Sequence, residues 1–354
     1  VRGEYLVALT PRWASGGRRL LKIPTQQTFV TGATGLVGGN LVRALLTRGE
    51  SVRVLVRERS NTIALNGLEV ERVSGDIRDR DSLTRALRGC NRVYHCAASV
   101  SQWRGNLSIS KEVNVTGTVN VLEESLRAGV ERVVYISTVD TLGLSCRESP
   151  ADETSSHESM AKFRNPYVDT KYEAERRTRE FVNKGLNLVV VNPTYMFGPW
   201  DVKPSSGLMI LEVARGKAIG YPGGGNNFVD VEDVVQGMIL AMEKGRSGEK
   251  YILANQEGNL SYREIFTLIA RIVGVKPPRL RIPYAVALMG GYLSDIHGKL
   301  TGSEPQLNSV TARLGYAPHY FSPAKAIREL GLPQSPVEGA VRRAYEWFKE
   351  YGYL

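Results

Sequence analysis

Six short apolar runs, each followed by a stretch of helical character, punctuate the chain at Thr28–Thr31, Val52–Val56, Glu69–Val73, Arg92–Ala97, Arg132–Ser137 and Asn187–Val191. That alternation leaves few folds open. Strand, helix and strand repeated at this length pair in parallel through right-handed crossovers and build an open α/β sheet, doubly wound, with helices on both faces. Ligands of such sheets lie beyond the carboxyl ends of the strands, so the residues just after each run are the candidates for function.

The residues after the first run are Gly32-Ala33-Thr34-Gly35-Leu36-Val37-Gly38. Glycines at 32, 35 and 38 allow a tight turn, close approach of a pyrophosphate to the backbone, and close packing of the next helix. The helix from Leu36 then presents free N–H groups and its positive dipole end to the phosphates. At the end of the second run, where an acidic residue would hold the ribose 2′-hydroxyl of NAD, stands Arg57, with Arg59 nearby and Glu58 between them. A guanidinium suits a 2′-phosphate, so NADP is expected as the cofactor, with NAD as the alternative; a solvated loop cation is the plainer account of Arg57. After the third run, Asp76 either meets the adenine amine or caps the next helix.

A second motif, Tyr167-Val168-Asp169-Thr170-Lys171, sets a phenol and an ammonium four residues apart on one helical face. A phenol is a poor acid at neutral pH, and a nearby ammonium is expected to draw its pKa down. About 30 residues upstream the fifth run ends in Ser137-Thr138, and the Thr138 hydroxyl can hold a substrate oxygen while Tyr167 moves its proton. A non-catalytic nucleotide sensor would have no need of Thr138, Tyr167 and Lys171 together.

Composition narrows the remaining classes. Three cysteines without a CxxC pair argue for a reducing, cytoplasmic setting, and four scattered histidines show no zinc spacing, so no metal is expected. The net charge is +10, of which residues 1–27 carry a surplus of four. The rest is spread along helices beside acids, and no basic run interleaved with aromatics points to nucleic acid. Residues 1–27 are read as a disordered or non-native extension, with a short transit peptide as the other option. Residues 28–192 with 228–256 are assigned to the nucleotide-binding domain, and 193–227 with 257–354 to a smaller, mainly helical C-terminal substrate lobe. The apolar stretch Ile282–Leu293 is too short to span a bilayer and is read as a buried helix of that lobe, with a lipid-facing or substrate-facing helix as the alternative; stable membrane insertion is not expected.

Taken in series, TGATGLVG, GDIRD at 75–79, HCAAS at 95–99, NVTGT at 114–118, YISTVDTLG at 135–143, YVDTK at 167–171, NPTYMFGP at 192–199 and FVDVEDV at 228–234 resemble the extended short-chain dehydrogenase/reductase superfamily over about residues 28–354. The resemblance implies a Rossmann-type fold. It also implies that Ile77 lies with Asp76 at the cofactor, that Ala97, Ala98 and Ser99 line the nicotinamide side, that Asn114 supports the active-site helix, and that Pro193 meets the nicotinamide through its backbone. For Asn114 a helix cap and for Pro193 a strand terminator are equally good accounts. Thr138 takes the place of the catalytic Ser/Thr, with Tyr167 as acid-base and Lys171 as its partner. Helices near Ser108–Ala128 and Ala161–Asn183 are similar to those that pair subunits in the superfamily, which implies a homodimer.

Within the superfamily, GPWDVKPSSG at 198–207, Arg57 and the C-terminal segment from Tyr320 resemble dihydroflavonol 4-reductase-like enzymes, especially the bacterial group called hopanoid-associated sugar epimerases. Nucleotide-sugar epimerases carry R-D-(F/Y)-x-H-V before the last sheet strand, where this chain has Asn226-Asn227-Phe228-Val229-Asp230-Val231. The phosphate-clamping Arg is replaced by Asn226. The expected activity is therefore NADPH-dependent reduction of a small ketone or aldehyde, with sugar epimerisation or dehydration as the alternative.

Overall fold

The computed structural model describes residues 27–354. The expectation for residues 1–27 therefore lies outside the described residues, except for Gln27, which opens the first strand. In chain order the strands are β1 (Gln27–Thr31), β2 (Ser51–Val56), β3 (Glu71–Ser74), β4 (Arg92–His95), β5 (Arg132–Ile136), β6 (Leu188–Pro193), β7 (Tyr195–Phe197), β8 (Gly220–Tyr221), β9 (Gly225–Asp230), β10 (Lys250–Leu253), β11 (Asn259–Ser261), β12 (Leu280–Arg281) and β13 (Pro318–His319). The helices are α1 (Leu36–Thr47), α2 (Arg80–Ala86), α3 (Leu107–Lys111), α4 (Gly117–Arg127), α5 (Glu158–Ala161), α6 (Pro166–Asn183), α7 (Leu208–Ala214), α8 (Val231–Lys244), α9 (Tyr262–Val273), α10 (Tyr284–Thr301), α11 (Ser309–Leu314), α12 (Ala324–Leu330) and α13 (Val337–Glu350).

Seven strands form one parallel sheet in the order β10-β6-β5-β4-β1-β2-β3. The order reverses between β1 and β4, which opens a crevice at their carboxyl ends. Both faces of the sheet are covered, and this explains why its strands read as continuous apolar runs. On one face Leu41, Val42 and Leu45 of α1 pack with Val234, Val235 and Met238 of α8. On the other, Leu83 of α2, Val121 and Leu122 of α4 and Ala174 and Phe181 of α6 close the core.

The remaining strands make smaller sheets. β9 pairs with β7, β11 and β13, and β8 pairs with β12. Phe228–Asp230 thus belongs to this smaller sheet, and the chain returns to the large one through α8 and β10. Helices α7, α9 and α13 enclose a third core around Phe197, Phe228 and Phe348.

The stretch Ile282–Leu293 departs from its expected burial. It opens α10, whose buried residues are Gly291 and Gly298, while Val286, Met289 and Leu293 face outward. An apolar segment becomes a core helix only where neighbours surround it, and α10 packs chiefly on the short α11.

Candidate functional site

The crevice begins where β1 turns at Gly32. Its φ of +71° is a left-handed conformation that favours glycine, and a Cβ there would lie 2.6 Å from the backbone nitrogen of Ala97, just after β4. At Gly38 a Cβ would lie 2.3 Å from the Gly32 carbonyl oxygen, so α1 can seat against the turn only without a side chain. Gly35 is the N-cap of α1 and supplies no side-chain cap, which leaves first-turn N–H groups free for an anion.

These residues line a cleft of 370 Å³ together with Thr34, Leu36 and Val37. Arg57 enters it from the end of β2, Asp76 and Ile77 from the end of β3, and Ala97 and Ala98 from the end of β4. Arg57 is exposed and, among the described residues, has no ion-pair partner. Asp76 accepts from Arg78 at 2.9 Å, and this bond, with a smaller contribution from the Arg57 charge, holds its carboxyl below the usual range. The cap of α2 is Asp79, which accepts from Asp81 N at 3.0 Å, so Asp76 is not the helix cap. A turn that a Cβ would fill, an uncapped helix N-terminus and a guanidinium at the far side fit the pyrophosphate and ribose ends of a dinucleotide.

Of the residues expected at the cofactor, Ser99, Tyr167, Lys171 and Pro193 are not among those that line this cleft. Ser99 donates its N–H to Asn114 Oδ1 at 2.7 Å and does not line the cleft. Pro193 is buried at the end of β6, opposite Leu253, and is also absent from the lining. Met196, three residues on, takes part instead. Asn114 sits in a π-helical turn, Glu112–Thr116, between α3 and α4. Its Nδ2 donates to the Ser99 carbonyl and the Thr170 hydroxyl, both at 2.9 Å, so it ties the loop after β4 to α6.

The residues expected to handle protons, Thr138, Tyr167 and Lys171, lie at and beside the end of β5. Asn165 caps α6 by accepting from Tyr167 N at 3.0 Å, and Pro166 fills the first helical position, so Tyr167 falls in the first turn. Burial, then the Asp140 charge, push the Tyr167 phenol well above its ordinary range, while the Thr138 hydroxyl acts the other way. One turn on, Lys171 is 2% exposed and donates to the Ile136 carbonyl at 2.6 Å. Its ammonium lies 4.3 Å from the Tyr135 ring centre. Burial lowers Lys171 to about 7, partly opposed by Glu175. Glu175 also accepts from Ser137 at 2.6 Å, Thr141 at 2.7 Å and Asn192 at 3.0 Å, fixing the end of β5. Burial is the largest influence on both groups, raising the phenol and lowering the ammonium.

Sequence reasoning missed several neighbours. Asp140 accepts from the Thr138 hydroxyl at 3.3 Å. Burial pushes its carboxyl up, opposed by His319, which arrives on β13. Tyr262, at the start of α9, feels the same carboxylate and is pushed up to about 12, chiefly by burial. Asp140 was legible as a second polar residue just past Thr138; His319 and Tyr262 had no local signal. Lys203, Ser205 and Ser206 also line the cleft. Their loop is braced on α1, with the Arg43 guanidinium 3.4 Å from the Trp200 ring centre and Asn40 donating to the Pro199 carbonyl at 2.9 Å. Asp230, where an epimerase has His, is fully buried and paired with Arg343.

The model of the NAD dependent epimerase/dehydratase family matches residues 28–254. Sterol demethylase protein B of Methylococcus capsulatus (strain ATCC 33009 / NCIMB 11132 / Bath) is 37% identical over 332 residues, covering 92% of this chain and 99% of the relative. A protein of Synechocystis sp. (strain ATCC 27184 / PCC 6803 / Kazusa), provisionally named dihydroflavonol 4-reductase, is 35% identical over 331 residues, covering 92% and 95%. The crystal structure of gox2253 superposes with a TM-score of 0.80 at 36% identity, covering 93% of this chain and 99% of that one.

Proposed function

The chain belongs to the NAD dependent epimerase/dehydratase family, and we propose that it uses NADPH to reduce a ketone or aldehyde on a small organic substrate. That it is an NAD(P)-dependent oxidoreductase of the extended short-chain dehydrogenase/reductase type follows from the family and its named reductases. The observation that carries the finer reading is the meeting of Tyr167, Lys171 and the Thr138 hydroxyl at the end of β5, in a chain that has Asn226 where an epimerase has its phosphate-clamping Arg. A protonated phenol is a donor, which is the role reduction requires.

When bound, the cofactor supplies a hydride to the carbonyl carbon. The chain does the rest. Thr138, its hydroxyl turning from Asp140 to the carbonyl oxygen, donates a hydrogen bond that orients the substrate, and Tyr167 delivers its proton to that oxygen as the alkoxide forms. Lys171, with a pKa of about 7, is able to return a proton to the phenolate side of the site at neutral pH. Asn114 keeps α6 and the loop of Ala97 and Ala98 in register. Arg57 at the β2 end supports a 2′-phosphate and hence NADP over NAD, with Lys203 adding charge across the cleft.

The substrate is assigned to residues 193–227 and 257–354, which supply Tyr262 and His319. A small carbonyl compound is favoured over a nucleotide sugar because Asn226 offers no charge to a diphosphate. Three free cysteines suit the cytoplasm, and pairing of α4 and α6 with a second copy is the proposed dimer.

Replacing Tyr167 with Phe tests the assignment. NADPH oxidation in the presence of a panel of ketones and aldehydes is expected to vanish while NADPH binding, followed by fluorescence titration, persists. Undiminished turnover refutes the role of Tyr167. Release of stoichiometric NAD on denaturing the purified wild-type protein favours an epimerase.

A further inference from the structure

Helix α10 buries one face and leaves the other open. Gly291 and Gly298 face the interior, and a Cβ at these positions would lie 2.9 Å from Asn308 and 2.9 Å from the Ser303 carbonyl oxygen, so α11 and its approach press against bare backbone. The opposite face carries Val286, Met289, Leu293, Ile296 and Leu300, spaced alternately by three and four residues. That spacing makes a single stripe on a helix. Its members are strongly exposed, with Met289 at 61%, Leu293 at 62% and Leu300 at 82%.

The exposed charges around the stripe are basic apart from Glu304, which is held by Ser101 and Asn106. The acid of α10, Asp295, is turned to α11 and accepts from Ser309 N at 3.2 Å. Lys299 lies at the edge of the exposed face, and Lys276, Arg279 and Arg281 lead into the helix. Lys217 precedes β8, the strand paired with β12, and exposed Ile219 and Leu280 extend the apolar surface there. Among the described residues none of these five cations has a carboxylate partner.

No described segment covers this face. A second copy would bring two such cationic rims together in a chain of net charge +10. An anionic lipid surface satisfies the apolar stripe and the rim at once. Among the described residues no helix is long and apolar enough to cross a membrane, so the geometry is that of a helix lying in the headgroup layer.

We propose that α10 docks the protein peripherally on an anionic bilayer, the stripe from Val286 to Leu300 entering the headgroup–acyl boundary while Lys276, Arg279, Arg281 and Lys299 engage lipid phosphates. The docked surface is tied to the cleft. Glu304, just beyond α10, accepts from Ser101 at 2.7 Å and Asn106 at 3.0 Å, on the segment that follows Ala97 and Ala98. The proposal goes beyond the carbonyl-reduction reading and does not depend on it.

The test is co-sedimentation of the full chain with vesicles of phosphatidylcholine alone or mixed equally with phosphatidylglycerol. The wild type is expected to sediment with the mixed vesicles, not with the neutral ones, and to be released by added salt. The triple variant Met289→Asp, Leu293→Asp, Ile296→Asp is expected to lose binding at least tenfold with an unchanged thermal melt. Because these side chains are exposed, the fold does not depend on them. Wild type that ignores mixed vesicles, or a triple variant that binds them as wild type does through another basic region, overturns the proposal. So does sedimentation equilibrium showing a lipid-indifferent dimer that the triple variant dissociates.

Discussion

Replacing Lys171 with methionine is expected to stabilise the folded protein while removing a residue needed for turnover. The ammonium is 2% exposed, and burial takes its pKa from 10.5 to about 7. At about 1.4 kcal/mol per pH unit, keeping this group in the fold costs on the order of 4 kcal/mol at neutral pH. The variant gives up the hydrogen bond to the Ile136 carbonyl at 2.6 Å and the contact with the Tyr135 ring at 4.3 Å. Those losses together offset about 2–3 kcal/mol. The net expectation is a gain of about 1–2 kcal/mol at pH 7. The sign with pH is definite. Between about 7 and 10.5 the unfolded chain still holds the proton that the folded chain has released, so wild-type stability rises with pH through that window. Methionine has no such dependence, and the advantage of the variant therefore shrinks as pH rises. Urea unfolding followed by tryptophan fluorescence at several pH values between about 6 and 9, with equal m-values for the two proteins, measures it. A variant less stable than wild type at the acid end, or a gap that does not change with pH, refutes the reasoning.

Arg57→Ala is expected to raise KM for NADPH roughly ten- to a hundredfold, the value of a charge-assisted pair, and to leave KM for NADH nearly unchanged; steady-state kinetics with both cofactors decide it. Asp140→Asn removes a negative charge that raises the Tyr167 phenol, so the alkaline limb of kcat/KM for reduction is expected to move to lower pH. A pH profile in which that limb stays put separates Asp140 from the phenol.

The parts of the site that are local in sequence were legible in it. Gly32, Gly35 and Gly38 act within one turn, and Tyr167 and Lys171 share one helical face, so strand and helix periodicity suffices to place them. Arg57, Asp76 and Ala97 followed because parallel strands deliver their carboxyl ends to one edge. Contributions from distant segments were not legible. His319 reaches Asp140 only because β13 pairs with β9, and Lys203 reaches the cleft only because Trp200 rests on Arg43. The Lys171 shift is a property of depth, which spacing does not report. The apolar run of α10 was read as core because hydrophobicity says that a segment avoids water without saying what shields it. Its neighbours, α11 and the segment of Pro305, are too small to do so.

The π-helical turn at Glu112–Thr116 bears on how this site tolerates insertion and deletion. A helix residue rotates the chain by about 100°, so adding or losing one usually swings everything beyond it off its packing face. The helical run from Leu107 to Arg127 already absorbs a surplus residue within a single widened turn. Shortening the turn by one residue returns it to plain α-helix, with Val121 and Leu122 still directed into the core. What disappears is the station from which Asn114 reaches both Ser99 and Thr170. Deleting one residue of this turn is thus expected to remove the clamp while leaving the interior packed as it is.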